Sequence, residues 1–70
     1  MDINWLGDFV CLGRTLNFTR AAEERNITQS AFSRRIRSLE NWIGVPLIDR
    51  ANYPVQLSPA GRQFLPIAQQ

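Results

Sequence analysis

Near the middle of the chain lies a set of side chains suited to binding polar edges. Wound as a helix at about 100° per residue, Ser30, Ser33, Arg34, Arg37 and Asn41 share one side. That side offers three hydroxyl or amide groups, two guanidinium groups and no carboxylate. Such groups recognise rather than react. A guanidinium can bond a guanine edge with two parallel hydrogen bonds, and an amide such as that of Gln29 can do the same with adenine. The opposite side carries Phe32, Ile36, Leu39 and Ile43 at i, i+4, i+7 and i+11, a narrow apolar stripe that must be buried. Thr28 stands where an N-cap belongs, its hydroxyl placed to accept from a first-turn amide. A helix held by its back and open at its front suits the major groove of a duplex. The pattern alone does not decide the matter, because many amphipathic helices have a few Arg that are merely solvated.

The rest of the composition narrows the choice. Seventy residues allow one small domain, and a chain this short buries only about 60% of its unfolded surface. The net charge is +2, all eight basic residues are Arg, and hydrophobic residues make up 44%. The stretch from Arg25 to Arg37 contains four Arg and no acid, which reads as a directed basic patch rather than a sticky polycation. The alternative is chance clustering. One cysteine, Cys11, excludes an internal disulfide. With no His, the usual four-ligand zinc site and the Cys–His and Ser–His nucleophile pairs are missing. No apolar run approaches a membrane span and no signal-peptide pattern opens the chain, which points to a cytoplasmic protein. No catalytic, cofactor or metal site is expected.

The elements that must position the polar face follow in order. Asp2 caps a first helix running to about Arg14, with Trp5, Leu6, Phe9 and Val10 as its buried face and Cys11 beside it as a core thiol. Gly13 and Asn17 let the chain turn, and Leu16 and Phe18 pin that turn. Thr19 is read as the N-cap of a short second helix, Arg20 to about Arg25, whose Ala21 and Ala22 permit close helix approach. Asn26 can take a left-handed backbone and stop it. Ile27 is then the buried turn residue before Thr28. A short helix, a tight turn and a longer polar-faced helix form a helix-turn-helix arrangement. Gly44 ends the long helix. Val45 to Ile48 and Val55 to Leu57 form a small hairpin around the turn-rich Asp49 to Pro54, with Arg50 near its tip. Ser58 and Pro59 open a last helix as N-cap and first residue, which Pro66 should bend. Nothing stops that helix at Gln70, so the chain reads as cut inside a helix, the competing reading being a small protein with a frayed end. Glu40 lies on the shoulder of the apolar stripe and is expected to pair with Arg37 one turn back.

Taken together, Phe18, Ala21-Ala22, Thr28 through Ser33, Ile36, Leu39-Glu40, Ile43-Gly44, Leu47, Arg50, Leu57-Ser58 and Ala60-Gly61 form an ordered set that resembles the N-terminal DNA-binding domain of LysR-type transcriptional regulators. The resemblance runs from the first helix to the last. It implies a mainly α winged helix-turn-helix, with a three-helix core and a short β-hairpin wing over residues 1–57, followed by the start of a linker and dimerisation helix at 58–70. It also implies a homodimer through that helix, two half-sites of a pseudo-palindrome in double-stranded DNA, and a small-molecule effector bound by a C-terminal domain that this chain lacks. Position by position, Gln29 matches a base-reading Gln, and Ser30 stands where the family often has Pro. Ser33 matches a Ser that contacts backbone or base, while Arg34 and Arg37 match variable polar and peripheral positions. Thr28 matches the capping Ser or Thr that also faces a phosphate. Arg50 matches the wing Arg that approaches the minor groove. Two departures stand out: Ile48 replaces a usual Phe, and the tip Ala51-Asn52-Tyr53-Pro54 lacks a second basic residue, a place Tyr53 could take through its hydroxyl. A protein-interaction module on the same fold is the alternative function, with Phe64, Leu65 and Ile67 as its interface. An enzyme is a distant third, because no acid or base pair is available.

Overall fold

The computed structural model describes residues 1–51 and 53–70. The chain forms α1 (Ile3–Thr15), α2 (Phe18–Glu24), α3 (Gln29–Ile43), β1 (Ile48–Asp49), β2 (Gln56–Leu57) and α4 (Pro59–Ala68). The two strands pair antiparallel, Ile48 opposite Leu57 and Asp49 opposite Gln56. Helices α1, α2 and α3 pack on one another, and α4 returns across α1.

The apolar stripe of α3 goes where its spacing requires. Phe32, Ile36 and Leu39 are fully buried with Phe9 and Leu12 of α1, Ala21 of α2 and Leu47 beside the hairpin. Ile43 is half-buried and packs at the margin of this core. Burying each large side chain contributes about 1.5–3 kcal/mol. Ala21 and Ala22 sit inside the same core, which lets α2 lie close to its neighbours. Phe18 meets Phe32 edge-on with ring centroids 5.9 Å apart. On α1 the buried residues are Asp8, Phe9, Cys11 and Leu12, whereas Trp5, Leu6 and Val10 are only half-buried. The buried arc is therefore shifted from the expected one.

The first turn also differs from expectation. Helix α1 continues through Gly13 and ends at Leu16, which takes the left-handed conformation at φ 51°. Gly13 lies inside the helix and lets Leu65 of α4 pack close; a Cβ there would sit 3.1 Å from a Leu65 methyl. Asn17 rather than Thr19 caps α2, its side chain accepting from the Arg20 amide at 2.9 Å. An Asn side chain competes well for this place, so the helix begins earlier and Thr19 becomes a helical residue. The later signals act as read. Asn26 has φ 61° and Gly44 φ 93°. Thr28 accepts from Ala31 N, and Ser58 accepts from Gly61 N. Pro66 lies exposed within α4, and the helix runs through it to Ala68.

Two further glycines mark close approaches. A Cβ on Gly61 would meet the Leu47 carbonyl oxygen at 2.1 Å. That carbonyl accepts from Ser58 N at 2.9 Å, and the Ser58 hydroxyl donates to Pro46 O at 2.7 Å. Helix α4 is thereby seated on the chain entering the hairpin. A Cβ on Gly7 would lie 2.8 Å from the Arg25 guanidinium, so Gly7 makes room for an ion pair beneath it.

That ion pair corrects the reading of the basic stretch. Asp8 is completely buried. It accepts from Arg25 Nε at 2.7 Å, from Arg35 Nε at 2.6 Å and from Arg35 Nη2 at 2.9 Å. Arg25 also donates to Asn4 O at 3.4 Å. Two of the four Arg in the patch thus serve the fold: Arg25 at the end of α2 and Arg35 on α3 close on a carboxylate of α1. Hydrogen bonding to Asp8 holds the Arg35 guanidinium more firmly protonated than usual. Removing Arg35 leaves the buried Asp8 carboxylate with one guanidinium instead of two and takes away the donor to Oδ2. Arg35→Met is expected to cost about 3 kcal/mol, while its neighbour Arg34→Met stays within about 0.5 kcal/mol. Urea unfolding of the two variants checks the contrast.

Candidate nucleic-acid interface

The front of α3 is uncovered. Thr28, Gln29, Ser30, Arg34, Arg37 and Asn41 are exposed and Ser33 is half-exposed. At the N-terminus of α3 the Thr28 hydroxyl takes the Ala31 amide at 3.1 Å and lies 3.4 Å from the Ser30 hydroxyl. The Phe32 amide bonds to Thr28 O. The Gln29 and Ser30 amides point outward at the positive end of the helix dipole, a setting that favours a phosphate.

Gln29 is held from outside its own helix. The Thr19 hydroxyl donates to Gln29 Oε1 at 3.0 Å. This fixes which way the amide faces and leaves its two hydrogens and one oxygen lone pair free. Nothing in the local pattern announces Thr19, because the contact depends on how α2 sits against α3. Had Thr19 been the cap, its hydroxyl would have been occupied there.

Arg34 and Arg37 have no acidic partner among the described residues; the recorded pairs involve Arg14, Arg20, Arg25, Arg35 and Arg50. The outward charge of the helix is therefore carried by these two. On the flank of α2, Arg14 and Arg20 both reach Glu24. The Arg14 hydrogen bond holds the Glu24 carboxyl below its usual range.

Glu40 does not pair with Arg37. It is buried, turned away from the open face, and accepts from Leu47 N at 2.8 Å and Ile48 N at 3.1 Å. Its ion-pair partner is Arg50, with Nη1 3.2 Å from Oε1. A surface shoulder on a helical wheel became a buried position once the hairpin folded over it. Arg50, expected near the hairpin tip, follows β1 directly and points inward, its guanidinium 5.6 Å from the centre of the Phe18 ring. Of the expected tip residues, Tyr53 is almost fully exposed and Ala51 is exposed, while Asn52 lies outside the described residues. The structure thus brings Thr28, Gln29, Ser30, Ser33, Arg34 and Arg37 onto one face and sets Arg50 apart from them.

Among the described residues, no cluster of three His, Cys, Asp or Glu side chains is placed to hold a metal. No described helix is long and apolar enough to cross a membrane.

A helix with a buried apolar back and an open polar front, paired with a short helix across a tight turn and followed by a hairpin, is a winged helix-turn-helix DNA-binding domain. Residues 3–62 match the family model for bacterial regulatory helix-turn-helix proteins of the lysR family. The chain is 50% identical over 64 residues to the HTH-type transcriptional regulator YjiE of Escherichia coli K12, covering 91% of this chain and 21% of that protein. It superposes on Vibrio fischeri DarR in complex with DNA with a TM-score of 0.96 at 48% identity, covering 99% of this chain and 24% of the other. It superposes on the BenM DNA-binding domain in complex with catB site 1 DNA with a TM-score of 0.94 at 35% identity, covering 99% and 74%. The chain belongs to the LysR family and is its helix-turn-helix DNA-binding domain. It spans about a fifth of the length of the curated relatives it matches.

Cys11 lies behind this face, 6% exposed, with Sγ 3.8 Å from Ala21 O and 3.7 Å from Glu24 Oε1. Burial pushes its thiol up, Glu24 adds to the rise, and Arg14 opposes it. At neutral pH the group is a protonated core thiol rather than a nucleophile. Alkylation by iodoacetamide is expected to be far slower than for a free cysteine peptide and to rise with denaturant. Fast labelling of the folded chain would show the thiol to be accessible and ionised.

Proposed function

We propose that the chain binds double-stranded DNA in a sequence-specific manner, with α3 in the major groove and the hairpin wing near the minor groove. The observation that carries this reading is the division of α3: Phe32 and Ile36 have no exposed surface, while Gln29, Ser30, Arg34 and Arg37 are exposed. Base contacts come from Gln29, Ser30, Ser33 and Arg34. Thr28, Ser33, Arg37 and the open amides of α3 hold phosphates, which set the register and give a salt-dependent affinity. The DNA complexes of DarR and BenM, both close in fold and above a third in identity, support the docking.

In the longer protein to which such a domain belongs, residues 1–57 are the DNA-binding unit and residues 58–70 begin the linker helix. That helix joins two copies, so that two recognition helices meet two half-sites. A further domain binds a small-molecule effector and thereby governs transcription in the cytoplasm. The exposed Ile67 on α4 is consistent with a surface that a second copy covers.

The test is affinity for a selected duplex and for random duplex as salt is varied. Log affinity is expected to fall steeply with log salt; no binding at low salt would reject the reading. Gln29→Ala should lose about 1–3 kcal/mol of discrimination at one base pair with little change on random DNA. Arg37→Gln should flatten the salt slope by about 1 unit, whereas Arg35→Met should leave that slope unchanged because its charge is already held by Asp8.

A further inference from the structure

The hairpin is attached to the recognition helix by a charged link between Glu40 and Arg50, the residue expected from the family resemblance to approach the minor groove. Three observations define it. The Glu40 carboxylate, only 7% exposed, receives the Leu47 and Ile48 amides through one oxygen, Oε2. It also receives Arg50, whose Nη1 lies 3.2 Å from Oε1. Arg50 is turned inward as a whole: its side chain is 28% exposed, its Nη2 is buried with no hydrogen-bond partner, and its guanidinium lies 5.6 Å from the centre of the Phe18 ring. Phe18 in turn meets Phe32 on the buried side of α3.

The link therefore runs from α3 to the entry of the wing, through Arg50 to the start of α2, and back to α3. A two-residue strand pair has little hold on its own orientation. Here the carboxylate supplies the first strand with two charge-assisted amide bonds and an ion pair. These come from the same helix whose opposite side presents Gln29 and Arg34. A guanidinium engaged on both sides in this way is poorly placed to reach a phosphate.

We propose that Glu40 and Arg50 are positioning residues that set the attitude of the wing relative to α3, and that Arg50 acts on flanking DNA through the wing rather than by touching it. This rests on the DNA-binding reading above. The outcome at Glu40 distinguishes the two roles of Arg50. Glu40→Gln keeps an oxygen for both amides but removes the charge that holds Arg50. If Arg50 positions the wing, releasing it disorders the wing. If Arg50 is a phosphate contact, releasing it frees a cation and strengthens binding.

The experiment compares the wild type, E40Q, R50Q and the double variant on two duplexes. One spans the recognition-helix site and its wing flank; the other is cut back to the recognition-helix site. Residual dipolar couplings of the Leu47, Ile48 and Leu57 amides against those of α3 report wing attitude without DNA, and helicity confirms that each variant is folded. On the long duplex each single variant is expected to lose roughly tenfold, and the double no more than either, as coupled residues do. R50K, which retains a charge for Glu40, should recover part of the loss. On the short duplex the four should bind alike, and the wing couplings should change in E40Q and R50Q together. Tighter binding by E40Q, multiplicative losses in the double variant, or unchanged couplings would each overturn the proposal. A wild type that binds neither duplex while the couplings respond would overturn the DNA reading and leave the link between wing and helix standing.

Discussion

The structure depends on one carboxylate with no access to water. Asp8 lies inside the domain and is reached by Arg25 at the end of α2 and by Arg35 on α3. Burying the Asp8 charge and part of two guanidinium side chains is costly, and the mutual attraction repays this only when the geometry satisfies the oxygens. Here both Asp8 oxygens are hydrogen-bonded, three times in all. The buried stripe of Phe32, Ile36 and Leu39 sets the rotation of α3 about its axis, and the salt link from Arg35 to Asp8 fastens α3 to α1 in that orientation. Gly7 belongs to the same device, since any larger residue there would collide with Arg25.

Much of the fold could be read along the chain because its signals are local. The stripe of Phe32, Ile36 and Leu39, the caps at Thr28 and Ser58, the left-handed Asn26 and Gly44 and the proline opening α4 each act within a few residues. The misreadings share a different character. Thr19 was a plausible cap, but Asn17 two residues earlier took the Arg20 amide; two adjacent cap candidates compete by a margin that sequence does not show. Asp8 carried no signal of its own in the sequence, and Glu40 looked like a shoulder residue suited to an i−3 partner. Both are buried by other elements, and helical periodicity carries no information about partners seven to twenty-seven residues away. The candidate face was legible for the same reason as the stripe: it is the stripe's complement. What could not be read was how many of its charges the fold would claim.

That claim changes how the charge of this domain should be understood. All eight basic residues are Arg, a side chain that forms planar, multiply bonded pairs with carboxylates as readily as with base edges or phosphates. Arg25, Arg35 and Arg50 are committed to Asp8 and Glu40, and Arg14 and Arg20 to Glu24. Arg34 and Arg37 remain on the open side of α3. Arg14, Arg25, Arg35 and Arg50 thus join elements to one another, Arg20 pairs within α2, and the two on the recognition face are displayed with few competing acids. Specificity then rests on the polar groups beside them, with Gln29 oriented by Thr19, rather than on bulk positive charge.

The measurement that tests the central claim most directly is amide and side-chain chemical-shift mapping of the isotopically labelled chain during titration with a selected duplex. The account predicts that shifts concentrate at Thr28, Gln29, Ser30, Ser33 and Arg34, including the Gln29 side-chain amide, with smaller changes at Tyr53 on the wing, while the amides around Asp8 on α1 stay in place. Shifts centred on α1 and α4, with residues 28–34 unmoved, would contradict it.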